Sequence, residues 1–351
     1  MPRKSLSCNE AQTALAEIQS LKTEFDRVLE DAIRTGELTR ARALRSGLES
    51  RMRELRESLI SPVERKLDVK HQYESQRRVL ESAGILERLP SGEQGIRGAY
   101  PVPSYQEIRN LIREKKDVLE KKAEQGFTKL LIVPFGMKLD DLVEKYKELL
   151  LKHKAEEKLF ATKEKDSDPD VPLDLDTSAP VYRWSEYWGA DQNGKLIYDP
   201  KEFSQNHGGK TKSQILAGQA RTAWRVILIE ADPNIPQSGT GKDVGGRERL
   251  EANKTPNEYL AMIGEGQYKD EFGTTPEEWL MQAITMLEEK NQVIDDYQGN
   301  GKITYNTGAY FPSGGVPNAY WGRGDPRAGL AGSVPTSRGG NLGARSAVRV
   351  S

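Results

Sequence analysis

The chain has almost no cysteine: Cys8 stands alone among 351 residues. One thiol cannot close an intramolecular disulfide, so the fold needs no oxidising compartment. A Cys–His nucleophilic pair would have to use a residue at the extreme N-terminus. Histidine is nearly as scarce. His71, His153 and His207 lie far apart, two on expected helices and one in a loop, with no thiol nearby, and that spacing does not build a metal site. No G-x-S-x-G elbow appears. Long apolar runs are missing as well: none approaches the roughly 18 residues of a membrane span. The basic start Met1-Pro2-Arg3-Lys4 leads into no apolar stretch, so no signal peptide is expected. The default location is therefore the cytoplasm, with cell-surface or phage display left open. An excess of either charge is absent too. Lys and Arg number 52 and Asp and Glu 53, a net charge of -1, which offers no global attraction to nucleic acid or anionic lipid.

Two glycine–lysine pairs fail as phosphate loops. Gly209-Lys210-Thr211 has Ser204 where the first glycine of the loop belongs, and no strand leads into it; Gly241-Lys242 is followed by Asp243. Asp295-Asp296 precedes the turn-rich Tyr297-Gln298-Gly299-Asn300-Gly301 and invites a calcium reading. Calcium takes about six to eight oxygens, and two adjacent carboxylates do not supply them, so a helix-exit loop is preferred. No cofactor and no metal are expected, and the chain reads as a binding protein rather than an enzyme.

What is present is charge, at 30% of residues, and a mean hydropathy of -0.70, the texture of a polar chain of two domains. Its five tryptophans, Trp184, Trp188, Trp224, Trp279 and Trp321, all fall in the second half. Residues 1–84 read as a helical hairpin or coiled-coil region. Leu15, Ile18, Leu21, Phe25 and Leu29 form one stripe, and Leu44, Leu48, Met52, Leu55 and Leu59 another, with Gly36 at the break and Ser61-Pro62 at the end. Such stripes need a partner, and a homo-oligomer through these helices is one expectation. Residues 85–165 read as a small α/β accessory region. It holds a Ser104/Glu107 capping box opening a helix to about Glu124, a strand at Leu130-Leu131-Ile132-Val133, and a helix over about 139–158. Residues 166–178 are acidic and proline-broken, a linker. Residues 179–351 form the recognition domain, with a buried strand at Trp224–Ile229 and two helices opened by Thr255-Pro256 and Thr275-Pro276. The class is α+β.

From Ile303 to Ser351 there are 49 residues without one Lys, Glu or Gln, whereas residues 1–302 hold 76 of these three types. Ten glycines, five arginines and interleaved aromatics replace them, ending in Ala347-Val348-Arg349-Val350, a pattern that predicts a closing strand. The stretches Gly308-Ala309-Tyr310-Phe311-Pro312, Ala319-Tyr320-Trp321 with Arg323, Arg327-Ala328 and the terminal 342–350 carry a resemblance, joined by Gln292–Gly299 upstream. They resemble the variable proteins of diversity-generating retroelements, whose C-type-lectin-like domain is related to formylglycine-generating enzymes. The resemblance covers about 180–351.

It implies a C-type-lectin-like (formylglycine-generating-enzyme-like) domain after the helical hairpin and α/β piece. It also implies a mechanism. A reverse transcriptase miscopies adenines of a template repeat, and the copy replaces the 3′ end of the gene. Codons of the AAY type then scatter over many residues while their fixed third base excludes Lys, Glu, Gln, Met and Trp. By analogy the diversified, ligand-binding positions are Asn318, Tyr320, Gly322, Gly324, Asp325, Gly329, Ala331, Ser333, Val334, Thr336, Ser337, Gly339, Gly340 and Asn341, within a variable segment of about 318–341. The ligand is an unidentified protein or other macromolecule, neither nucleic acid nor membrane. Oxidase chemistry of the formylglycine type needs cysteines, and none follows Cys8. The alternative is a phage or cell structural or adhesion protein that binds one fixed partner through the same domain.

Overall fold

A computed structural model describes residues 8–35, 39–58, 61–96, 100–165, 167–217 and 223–351. Helices and strands both build it, an α+β protein, and it splits into two compact units, Met1–Lys66 and Leu67–Ser351.

The first unit holds α1 (Cys8–Thr35), α2 (Thr39–Ser58) and the short α3 (Pro62–Lys66). α1 and α2 pack on each other. Val28 and Ala32 are buried with Leu29 against them. Ile18, Leu21, Phe25 and Leu48 are half-buried, while Leu15 and Met52 are exposed. Two helices can cover only one stripe of each other, so the pair encloses little core. Gly36 and Leu59 lie outside the described residues, as do the side chains of Leu44 and Leu55.

In the second unit, α4 (Val69–Ser82) leads into the small sheet β1 (Glu87–Arg88), β2 (Gln94–Ile96) and β3 (Tyr100–Pro101). Next come α5 (Tyr105–Glu114), α6 (Lys116–Glu124), β4 (Phe127–Val133) and α7 (Leu139–Ala155). The chain continues through β5 (Val181–Arg183), β6 (Ile197–Tyr198), β7 (Lys210–Thr211), α8 (Lys212–Leu216) and β8 (Arg225–Glu230). After α9 (Pro256–Met262), β9 (Glu271–Gly273) and α10 (Pro276–Lys290) come β10 (Asp296–Tyr297), β11 (Ile303–Tyr305) and β12 (Ala309–Tyr310). The last elements are β13 (Val316–Gly322), β14 (Arg327–Ser333), β15 (Leu342–Ala344) and β16 (Ser346–Arg349).

The domain boundaries expected from the sequence shift here. α4 belongs to the second unit, and the region 85–165 is not a separate accessory body. β4 pairs antiparallel with β8, Leu130 opposite Leu228, in a sheet of order β4-β8-β16-β9. The apolar runs 130–133 and 226–229 are covered on both sides and cannot be buried by a strand alone. One sheet is their common solution. The acidic segment is tied down rather than a free linker: Leu173 and Leu175 are buried, and the Leu173 N–H donates to the Leu159 carbonyl at 2.8 Å. Asp166 lies outside the described residues.

β4 is an edge strand, and α4 closes that edge with side chains. The Leu130 N–H donates to Gln72 Oε1 at 2.7 Å and the Ile132 N–H to Gln76 Oε1 at 3.1 Å. Edge amides left open invite pairing with other chains. α10 runs through the centre of the unit, against α7, β4 and α4. Every residue from Pro276 to Leu287 is buried, so the helix is covered on all sides and not only along the expected stripe of Trp279, Leu280, Ala283, Ile284 and Leu287. β16, the expected closing strand, lies between β8 and β9. The helix expected over 104–124 breaks into α5 and α6 at Lys115, whose φ of -107° and ψ of 19° leave the helical region.

A second sheet has the order β15-β11-β13-β14-β5, with β10 also paired to β13. Its centre is the antiparallel hairpin β13–β14, in which Asn318 faces Ala331 and Tyr320 faces Gly329. This hairpin occupies the segment singled out by composition.

Candidate functional site

Side chains alternate between the two faces of a strand, so register settles which residues share a face. Ala319, Trp321, Ala328 and Leu330 point into the core and are at most 1% exposed. Asn318, Tyr320 and Gly322 of β13 and Gly329, Ala331 and Ser333 of β14 share the opposite, outer face. β5 places Tyr182 beside Gly329, and β10 places Tyr297 beside Gly322, both in parallel pairing. Three tyrosines thereby meet on one surface. Tyr297 and Tyr320 pack edge to face at 6.1 Å between ring centroids. Tyr182 is exposed, and the Arg327 guanidinium lies 5.4 Å from its ring centroid.

The floor beneath the Tyr320 ring is glycine. A Cβ on Gly329 would come within 2.5 Å of Tyr320 Cζ, so the Tyr320 ring lies across that backbone. Burial pushes the Tyr320 phenol above its ordinary pKa, and Tyr182 acts in the same direction, against Arg327. Arg327 is paired with Asp325 at the hairpin turn. Arg323 is held by Asp296, Nε to Oδ1 at 2.5 Å and Nη2 to Oδ2 at 2.6 Å. The face carries rings, guanidinium groups and turn backbone, with no nucleophile set against a base. What such a face can offer a ligand is stacking, cation–π contact and hydrogen bonding by stiff side chains.

The predicted positions divide into three groups. Gly324, Asp325, Val334, Thr336 and Gly340 are exposed, on the hairpin turn and on the loop after β14. Tyr320, Ala331, Ser333, Ser337, Gly339 and Asn341 are half-buried. Asn318, Gly322 and Gly329 are buried, which corrects their placement as surface positions. Asn318 is 4% exposed and donates from Nδ2 to Ser333 Oγ at 2.8 Å. A Cβ on Gly322 would meet the Asp325 carbonyl at 2.8 Å. The loop after β14 is anchored at both ends of its contacts: the Asn257 N–H donates to the Pro335 carbonyl at 3.2 Å, and the Tyr305 hydroxyl to the Ser337 carbonyl at 3.0 Å. Tyr182 and Tyr297 were not legible as site residues, because their strands are two or three residues long and join the hairpin only through parallel pairing.

The groups considered for other chemistry are occupied. Asp295 accepts from Trp279 Nε1 at 2.6 Å, from Thr304 Oγ1 at 2.7 Å and from both terminal nitrogens of Arg345 at 2.6 Å. With Asp296 held by Arg323, both carboxylates are committed to internal donors. Among the described residues no cluster of His, Cys, Asp and Glu could hold a metal ion. Lys210-Thr211 is a short strand, and Thr211 caps α8. His71 is exposed, His153 is buried with Nε2 3.6 Å from Glu288, and His207 accepts from the Gly209 N–H through Nδ1. The densest charge cluster, unforeseen in the sequence, is internal. Lys212 Nζ reaches Asp191 at 2.7 Å, Glu277 at 2.9 Å and the Met137 carbonyl at 2.9 Å, with only 2% of its side chain exposed. It ties β6, α8 and α10 together through Tyr198, whose hydroxyl donates to Glu277 at 2.6 Å. No described helix is long and apolar enough to cross a membrane.

Comparison with protein-family models, with characterised proteins and with solved structures finds no match to this chain.

Proposed function

We propose that the second unit is a binding module on a C-type-lectin-like scaffold, and that the outer face of β13–β14 with its following loop is a ligand surface diversified by retroelement mutagenic retrohoming. One observation carries the reading. Of the candidate variable positions on the two strands, Tyr320, Ala331 and Ser333 lie half-buried on one face, and the core residues Ala319, Trp321, Ala328 and Leu330 fall on the other. A surface that must accept random side chains has to leave the core untouched, because core changes cost several times more than the roughly 0.5 kcal/mol of a surface change. The absence of Lys, Glu and Gln from 318–341 is compatible with the same codon mechanism, which does not reach the equal absence over 303–317. The ligand is a macromolecule recognised by contact, without catalysis and without a cofactor. The α1–α2 pair supplies oligomerisation, and avidity offsets weak single sites. With so many Gly, Ser and Ala, this variant binds weakly.

A second reading has its own support. Tyr320 lying over Gly329, and the burial of Asn318, describe positions that do not accept free substitution. They favour a structural or adhesion protein that binds one fixed partner through the Tyr182, Tyr297 and Tyr320 face. Sequencing the DNA downstream of the gene, and deep-sequencing its 3′ end across the source population, separates the two. A near-copy differing at adenines beside a reverse transcriptase gene, with variation at the outer-face codons, is the expected result. An invariant 3′ end without a copy removes diversification and leaves the fixed-partner reading.

A further inference from the structure

Away from the hairpin, sharing no residue with its outer face, a groove of about 1020 Å³ runs between the 231–237 segment, the end of α10 and the 299–302 turn. We propose that it is a docking site for an acidic segment of polypeptide. Its charge is the first argument. Lys165, Lys242, Lys290 and Lys302 line it, and none has a carboxylate partner among the described residues. Lys163 and Arg249 are already neutralised, Lys163 by Asp170 at 2.6 Å and Arg249 by Glu230 at 2.5 Å and Asp232 at 2.6 Å. Glu164 is the remaining carboxylate on the wall. Four lysines against one glutamate leave a local excess of three positive charges on a chain whose net charge is -1. A concave wall of one sign raises the local concentration of the opposite charge.

Hydrogen bonding decides which anion. Gln125, 3% exposed, and Asn234 line the same groove, and Gln125 Oε1 and Asn234 Oδ1 are buried acceptors without a donor. The Asn234 amide is oriented by Nδ2, which donates to the Lys163 carbonyl at 3.4 Å. Buried polar atoms are normally paired. A ligand that completes this wall must therefore donate hydrogen bonds as well as carry negative charge. A phosphate diester offers only acceptors. A polypeptide rich in Asp and Glu offers backbone N–H groups and carboxylates together. No aromatic side chain lines the groove, so it has no platform for stacking bases of single-stranded nucleic acid.

The test uses the full-length protein and a fluorescein-labelled peptide of alternating glutamate and alanine, followed by polarisation at low and high salt. Saturable binding that weakens with salt is expected, weakened about tenfold by the double variant Lys242→Glu/Lys302→Glu. Gln125→Leu leaves the charge unchanged and is expected to weaken binding as well, with thermal melts confirming that each variant is folded. Lys165→Ala, at an exposed side chain, gives a milder version of the charge test. Three results overturn the proposal: no saturable binding, displacement of the peptide by an equal concentration of inorganic phosphate, or tighter binding of oligothymidylate than of the peptide. Failure here leaves the reading of the hairpin face untouched, since Tyr320 and Gly329 take no part in the groove.

Discussion

On the inner face of the β13–β14 hairpin, Trp321 and Leu330 are enclosed between Ala319 and Ala328; on the outer face, Tyr320 lies across Gly329 beside an exposed Tyr182. The same two strands therefore meet opposite requirements on their two sides. The difference is not simply buried against free. At one end of the outer face Val316 is packed with Phe203 and Tyr310, and Asn318 is hydrogen-bonded to Ser333. At the other end the Tyr320 ring lies over the Gly329 backbone, the turn is exposed, and the following loop is exposed at Val334, Thr336 and Gly340 while Pro335 and Ser337 are anchored. One face of the sheet thus has a locked part and a more accessible part.

Substitutions that test this contrast are ordered by size. Trp321→Ala, on the inner face, is expected to cost about 3–5 kcal/mol in urea unfolding, the price of a large buried cavity. A loss near zero would mean that the inner face is not the core. Asp295→Asn comes next, at about 3 kcal/mol, because it leaves the half-buried Arg345 guanidinium against a neutral, buried partner. If added calcium restored wild-type stability to this variant, the internal ion-pair account of Asp295 would be wrong. Gly329→Ala should destabilise by about 1–3 kcal/mol through the clash with Tyr320. The double variant Tyr320→Ala/Gly329→Ala should recover most of the glycine's share, a coupling that a double-mutant cycle measures directly. Additive losses would show that the ring does not rest on that backbone.

A smaller effect follows from ionisation. The folded pKa of Tyr320 is raised above the unfolded value. Its contribution is therefore fully present below the ordinary tyrosine pKa and is lost as pH rises through the folded value. Replacing Tyr320 by Phe should remove one late-titrating phenol from the alkaline absorbance curve and flatten the fall in stability over that range. Smallest of all, Val334→Ser and Gly340→Ser on the open loop should stay within about 0.5 kcal/mol of wild type. A cost above 1 kcal/mol at either position would count against a freely variable loop.

The elements that sequence reading recovered are those marked by apolar periodicity or by hydrogen bonds that close within a few residues. The Ser104/Glu107 box is complete, with the Glu107 N–H donating to Ser104 Oγ at 3.2 Å and the Ser104 N–H to the Glu107 carboxylate at 2.8 Å. Thr255 and Glu258 repeat it, and the Thr275 N–H donates to Glu278 at 2.8 Å. Long-range pairing was not legible. Nothing local in 127–133 shows that β8 will lie beside it, and nothing in Tyr182 or Tyr297 shows that they will flank Tyr320. The burial of α10 on all sides was hidden for the same reason: Gln282 and Thr285 read as polar positions, yet both are buried, Thr285 beneath the Gln76 amide at 3.3 Å.

By itself the sequence determined the α+β class, the helix caps, the apolar strands 130–133 and 226–229, and the closing strand, because each rests on periodicity or on contacts between near neighbours. It also marked the 303–351 stretch as different through composition alone. Only the tertiary structure decided that the middle region shares a sheet with the C-terminal domain, that the outer face gathers three tyrosines with Tyr320 over glycine, and that four unpaired lysines line one groove. Those properties come from residues far apart in the chain, brought together by strand pairing and by the packing of both sheets and α4 around one central helix.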